Sequence, residues 1–230
     1  MSLTATELTK RIEHTFLKAF GPPDDIEKLC AEAVQYNFAV VMVNPAELAH
    51  CRSLLADSPV HLGTVIGFPL GQNRSTVKRF EARDAIQQGA QDLDLVLNVR
   101  ALQAGDYACV RQELLELAEL GREHGCVSKV ILETCYLTES QKRIACEIAL
   151  ETQLDYVKTS TGFGSAGATL EDVKLIRAIV GDKAKIKASG GIRSLADARK
   201  MIAAGADRLG TSSGVALLQE LNQELKQEHH

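Results

Sequence analysis

Short apolar runs that do not alternate with polar residues recur along this chain, and no other feature limits its possible folds as much. Phe38-Ala39-Val40-Val41-Met42-Val43 is nearly continuous in apolar residues. Ile12 to Leu17, His61 to Ile66, Leu93 to Asn98, Lys129 to Glu133, Tyr156 to Lys158, Lys185 to Lys187 and Arg208 to Gly210 have the same strand character, making eight in all. A strand that faces water on one side alternates, whereas one covered on both sides does not, so the pattern implies a parallel sheet under helices. The intervening segments carry helix signals. Thr4 with Glu7 three residues on is a capping box, Thr169 precedes Asp172, and Ser194 precedes Asp197.

Further helices are expected from Pro22-Pro23-Asp24 to about Tyr36, from about Ala46 to Leu55, from a cap at Ser75 to Gly89, and over Glu139 to Glu151. A long helical region is expected from about Ala101 to His124, with Leu114, Leu117 and Ala118 as its apolar stripe, and a last helix follows Gly214. Eight strand–helix units of roughly 25–35 residues predict an α/β (β/α)8 TIM barrel with an extra N-terminal helix, as one domain over residues 1–230. The competing doubly wound open sheet requires a glycine fingerprint after its first strand, and none follows Ile12 to Leu17.

Composition narrows the function. A formal net charge of −4 offers no broad basic surface for nucleic acid, and 4% aromatic residues without Trp offer no base-stacking platform. No apolar run approaches the roughly 20 residues of a membrane span. The six cysteines show no CxxC spacing and no Cys/His cluster, so reduced, mostly buried thiols in a cytoplasm are expected, and no metal site. Met1-Ser2-Leu3 and Glu228-His229-His230 read as expression-tag remnants, and the two terminal histidines are set aside as ligands.

Polar groups on the strands point to chemistry. In these barrels catalytic residues sit at the C-terminal ends of strands. Asp94, Lys129, Lys158 and Lys187 are the candidates, while Lys185 reads as a surface charge. Three lysines around one carboxylate make a cationic pocket, and one ammonium lowers the pKa of its neighbour. An ordinary lysine is only about 0.04% unprotonated at pH 7, and about 4.6 kcal/mol of differential interaction makes roughly half of it a free amine. Such an amine forms a Schiff base with a carbonyl, and a carboxylate such as Asp94 can move protons. Gly162 and Gly164 follow the sixth strand, Gly190-Gly191 the seventh, and Gly210-Thr211-Ser212-Ser213 the eighth, just before a helix. Gly-rich turns at a helix N-terminus bind phosphate, so the expected ligand is a phosphorylated carbonyl compound.

The stretches Val157-Lys158-Thr159-Ser160-Thr161-Gly162-Phe163 and Lys187-Ala188-Ser189-Gly190-Gly191-Ile192-Arg193 resemble those of the 2-deoxyribose-5-phosphate aldolases, a class I aldolase family. So do Val65 to Gly71, Lys129 to Thr134 and Gly210 to Ser213, and the resemblance runs from about Ile12 to Gly214. It implies reversible cleavage of 2-deoxy-D-ribose 5-phosphate to D-glyceraldehyde 3-phosphate and acetaldehyde, in deoxyribonucleotide catabolism. It implies Lys158 as the Schiff-base lysine, Lys187 as the lysine that perturbs it and assists proton transfer, and Asp94 as acid/base; Lys129, a candidate from its strand position, is expected to support them. It implies phosphate contacts at Gly162, Gly190, Gly191, Ser212 and Ser213. No cofactor or metal is expected, because the imine is the electron sink; partners are the small phosphorylated substrate and further copies of the chain, as a dimer or tetramer.

Two positions depart from the family pattern: Glu13 stands where the family usually has Asp, and Met42 where many members carry Cys. A C-terminal tyrosine that reaches the site in some members is expected to have no counterpart, since the tail reads Lys226-Gln227-Glu228. Alternatives are another Schiff-base aldolase or transaldolase acting on a ketose phosphate, a phosphosugar isomerase barrel, and a non-catalytic phosphate-ligand binder.

Overall fold

A computed structural model describes residues 3–227; the tag-like residues 228–230, with Met1 and Ser2, lie outside them. Each apolar run becomes a parallel strand: β1 (Ile12–Phe16), β2 (Val40–Val43), β3 (His61–Ile66), β4 (Asp92–Val96), β5 (Val127–Ile131), β6 (Tyr156–Lys158), β7 (Lys185–Ser189) and β8 (Arg208–Thr211). Each pairs with its sequence neighbour, and β8 pairs with β1, closing the barrel. All four residues of β2 are buried, because one set faces the lumen and the other faces helices. The expected barrel is therefore the one observed.

Helices α1 (Ala5–Thr9), α2 (Asp25–Tyr36), α3 (Leu48–Leu54), α4 (Ser75–Gln87), α5 (Val99–Gln103), α6 (Tyr107–His124), α7 (Glu139–Glu151), α8 (Leu170–Val180), α9 (Leu195–Ala203) and α10 (Gly214–Gln227) accompany the strands. The extra helix α1 begins at the capping box of Thr4 and Glu7 and packs against α10. Thr169 and Ser194 cap α8 and α9 by accepting the N–H of Asp172 and Asp197.

The sequence expectation fails at two helix ends. Ser75 does not cap α4: Arg74 occupies that position with no side-chain cap, and the Ser75 hydroxyl donates instead to Glu113, 3.0 Å away. Glu113 is buried beside the Lys78 ammonium, so a tertiary acceptor wins over the local one. The region from Ala101 to His124 is also not one helix. Ala104, Gly105 and Asp106 separate α5 from α6, and Asp106 restarts the chain by accepting the Cys109 N–H.

The main apolar core lies between barrel and helices, where α6 contributes Val110, Leu114, Leu117 and Ala118. Each large side chain buried there stabilises the fold by about 1.5–3 kcal/mol. Inside the barrel the packing is divided. On the β1–β3 side Val40, Met42 and Val65 pack with Leu17. The β4–β8 side is filled with charge, above a floor formed by Tyr156, whose ring lies 5.7 Å from each of Lys129, Lys185 and Arg208.

Candidate active site

The period-two alternation of strands lines up the lumen residues. Asp92 and Asp94 of β4, Lys129 of β5, Lys158 of β6, Lys187 of β7 and Glu13 of β1 all face inward and meet one another. Strand register places Asp94 beside Lys129, and Lys158 beside Lys187. Asp94 is fully buried, with one oxygen, Oδ2, accepting from Lys158 at 2.7 Å and from Lys187 at 2.6 Å. Its Oδ1 lies 3.1 Å from Lys129 Nζ, an ion-pair contact without hydrogen-bond alignment.

Three sequence candidates thus surround the fourth, as expected, but the site is not the purely cationic pocket that lysines and Asp94 alone suggest. Lys129 donates to Asp92 at 2.5 Å, Lys187 donates to Glu13, and Arg208 lies 3.4 Å from Glu13. Glu13 therefore belongs to the network. The longer side chain at this departure from the family pattern reaches from β1 to the β7 lysine. Four cations, Lys129, Lys158, Lys187 and Arg208, face three carboxylates, Glu13, Asp92 and Asp94. One positive charge is left over, and the network balances when one of the cations releases its proton.

Lys158 is the group positioned to do so. Burial disfavours its ammonium most strongly; the Asp94 carboxylate opposes that, the Lys187 ammonium adds to it, and the net pKa is pulled down to about 8. Burial also works against the Lys129 ammonium, yet Asp92, Asp94 and Glu13 outweigh it and hold Lys129 above the ordinary lysine range. For Asp94, burial alone would raise the carboxyl, but the ammoniums of Lys129, Lys158 and Lys187 hold it well below the usual range. Asp92 behaves likewise: burial opposes ionisation, and Lys129, with the bond from His61, brings its pKa to about 2.

Above this network opens a cavity of about 440 Å³. Lys158 is on its lining, together with Gly162, Gly190, Gly191 and Ser212 of the sequence candidates. Asp94, Lys129 and Lys187 lie beneath it, and Ser213 is off the lining, its N–H bonded to the Thr211 hydroxyl. Gly190 and Gly191 both have positive φ, 87° and 83°, which turn the chain after β7 in a way side-chain-bearing residues resist. Lys18 and Arg193 also line the cavity and bring cations to its glycine-rich end. Lys18 does not stand out in the sequence, because an exposed Lys in a loop carries no pattern, and Arg193 appears there only as the end of the stretch that begins at Lys187.

Glu133 is a further missed residue. It sits just past β5 with φ at 55°, is buried, and accepts from both the Thr161 N–H and the Thr161 hydroxyl. A buried carboxylate and a left-handed backbone thus hold the Thr161–Phe163 turn in place. Among the described residues no group of three or more His, Cys, Asp or Glu is arranged to hold a metal ion, and no helix is long and apolar enough to cross a membrane.

Comparison with known proteins agrees with this geometry. Residues 5–221 match the DeoC/LacD family of aldolases. The deoxyribose-phosphate aldolase of Bacteroides thetaiotaomicron is 52% identical, over 98% of this chain and 94% of its own length. That of Carboxydothermus hydrogenoformans is 52% identical, over 95% of this chain and 97% of its own. The tetrameric deoxyribose phosphate aldolase structure from Aeropyrum pernix superposes with a TM-score of 0.88 at 32% identity, covering 95% of this chain and 92% of that one. A lumen lined by buried lysines and carboxylates, a cavity above it and this breadth of identity agree: the chain belongs to the DeoC/LacD family of aldolases, among its deoxyribose-phosphate aldolases.

Proposed function

We propose that the chain reversibly cleaves 2-deoxy-D-ribose 5-phosphate to D-glyceraldehyde 3-phosphate and acetaldehyde through a Schiff base on Lys158. The observation that carries this reading is the buried Lys158 amine at the cavity floor, with its pKa pulled down to about 8. About a tenth of such an amine is unprotonated at pH 7, some hundreds of times more than for an ordinary lysine.

The amine attacks C1 of the open-chain aldehyde, and loss of water leaves a protonated imine. A base removes the proton of the C3 hydroxyl, the C2–C3 bond breaks, and its electron pair moves into the imine. C3 leaves as the aldehyde carbon of glyceraldehyde 3-phosphate. The remaining enamine takes a proton at C2, and water hydrolyses the imine to release acetaldehyde and the free amine. Asp94, hydrogen-bonded to Lys158 and Lys187, is the acid/base group in this reading. Lys187 perturbs Lys158, and Lys129 supports Asp94 from below.

At the other end of the cavity the phosphate sits on the turns of Gly162, Gly190, Gly191, Ser212 and Ser213. The N-terminus of α10 and the cations of Lys18 and Arg193 favour its charge. Reduction with borohydride in the presence of 2-deoxyribose 5-phosphate should attach a two-carbon adduct to the Lys158 peptide. An adduct elsewhere, or none, overturns the reading, and faster turnover of a ketose phosphate would reassign the substrate.

Self-association belongs to the same reading, supported by the tetramer described for the Aeropyrum pernix relative; sedimentation of the purified chain should give a dimer or tetramer. A reducing, cytoplasmic setting is supported by six unpaired cysteines, three of them buried.

A further inference from the structure

Ser189 is the last residue of β7 and carries a buried side-chain hydroxyl with no protein partner among the described residues. It is 5% exposed, and it lines the same cavity as Lys158, Thr161, Gly162, Gly190 and Gly191. A buried hydroxyl without a partner is costly, so its presence in a substrate cavity marks it as a group kept for the ligand.

Its height in the barrel says which part of the ligand. Ser189 lies two residues beyond Lys187 on the same face of β7, about 6.6 Å nearer the open end. Lys187 belongs to the layer of Asp94 and Lys158, where bonds are made and broken in the proposed reaction. Gly190 and Gly191, on the phosphate side, follow Ser189 directly. The hydroxyl therefore stands between the reacting layer and the phosphate cradle.

The surroundings fix it there. Thr159 Oγ1 accepts from the Ser189 N–H at 3.1 Å and donates to the Ser189 carbonyl at 3.2 Å, which locks the backbone. On the neighbouring strand β8, Gly210 pairs with Ser189, and a Cβ at position 210 would come within 2.2 Å of Ser189 Oγ. Only glycine at 210 leaves room for the hydroxyl.

We infer that Ser189 is a specificity-determining residue whose hydroxyl hydrogen-bonds the non-reacting hydroxyl of the substrate, on the carbon next to the phosphate-bearing carbon. That group is the C4 hydroxyl of 2-deoxyribose 5-phosphate, which becomes the C2 hydroxyl of glyceraldehyde 3-phosphate. The inference rests on the proposed function, because it takes the imine at Lys158 as one fixed end of the substrate and the phosphate as the other.

The test is aldol addition of acetaldehyde to two acceptors, glyceraldehyde 3-phosphate and 3-oxopropyl phosphate, which lacks only the hydroxyl in question. In Ser189→Ala the preference for the hydroxylated acceptor, measured as the ratio of kcat/KM values, should fall about tenfold, the worth of one neutral hydrogen bond. Ser189→Cys keeps the volume but is a poor hydrogen-bonding partner, and it should follow Ser189→Ala. A ratio unchanged in both variants overturns the inference, whether the absolute rates stay level or drop together as a structural role would have it. Borohydride trapping of acetaldehyde on Lys158 reports in parallel whether each protein is folded and forms the imine. A wild-type protein that traps nothing overturns the proposed function and this inference with it. Trapping with an unchanged ratio overturns this inference alone.

Discussion

Lys129 and Lys158, two of the three lysines in the barrel lumen, are both buried and have opposite fates. Lys129, in the lower layer, lies within ion-pair distance of Asp92, Asp94 and Glu13. Lys158, in the upper layer, has a direct ion pair among the described residues only with Asp94, whose Oδ2 it shares with Lys187. Burial is the largest influence on both and in both opposes the ammonium. What differs is the company: three carboxylates overrule burial at Lys129, whereas one carboxylate, contested by a second ammonium, does not at Lys158. Desolvation alone thus does not make a nucleophile. The barrel separates the two by giving Lys129 three carboxylates and leaving Lys158 a single one that Lys187 shares.

The strongest way to break the contrast is to remove each amine in turn. Lys158→Ala should abolish cleavage, a loss of about 10³-fold or more, with the barrel intact by circular dichroism. Retention of even a tenth of wild-type turnover would reject Lys158 as the nucleophile. Lys129→Met should cost about 3–5 kcal/mol of stability in denaturant titration, since it strands buried carboxylates. Lys158→Met, which removes a cation that burial already disfavours, should cost less than about 1 kcal/mol. Equal costs for the two would erase the distinction between the layers.

The ionisation of Lys158 also sets a pH dependence. Its pKa is lowered to about 8, so the reactive free amine accumulates as pH rises and is lost as pH falls below that value. Wild-type kcat/KM should climb roughly 50-fold between pH 6 and pH 8 and flatten above about pH 9. A profile still climbing steeply at pH 10 would describe an ordinary lysine.

A smaller effect sharpens the link between layers. Asp92→Asn removes one anion from below and raises the excess positive charge of the network. The acid limb of the kcat/KM profile should then move to lower pH by about one pH unit, and Asp92→Glu should restore it. A limb that stays in place would show that the lower layer does not reach Lys158.

The resemblance carried by the stretches around Lys158 and Lys187 named both lysines and Asp94, and the structure brings all three into contact. Lys129 joins them, as the position of its strand suggested, but as a charged neighbour of three acids. Asp92 was passed over because an acid two residues before another looks like a solvated strand end. It is fully buried, and only the tertiary structure shows its partner, Lys129 of the neighbouring strand. Glu133 escaped for a similar reason, since its partner Thr161 is 28 positions away.

By itself, the sequence determined the barrel, its eight strands, most helix starts and the glycine turns that follow the last strands. These follow from local causes: unbroken apolar runs, side-chain caps and glycine turns each act over a few residues. The tertiary structure alone decided how charge is shared in the lumen, why Ser75 turns from its own helix to Glu113, and that the buried Ser189 hydroxyl has no protein partner among the described residues. Those outcomes depend on groups from different strands and helices meeting within about 3 Å in a space without water, where a single counter-charge decides the balance.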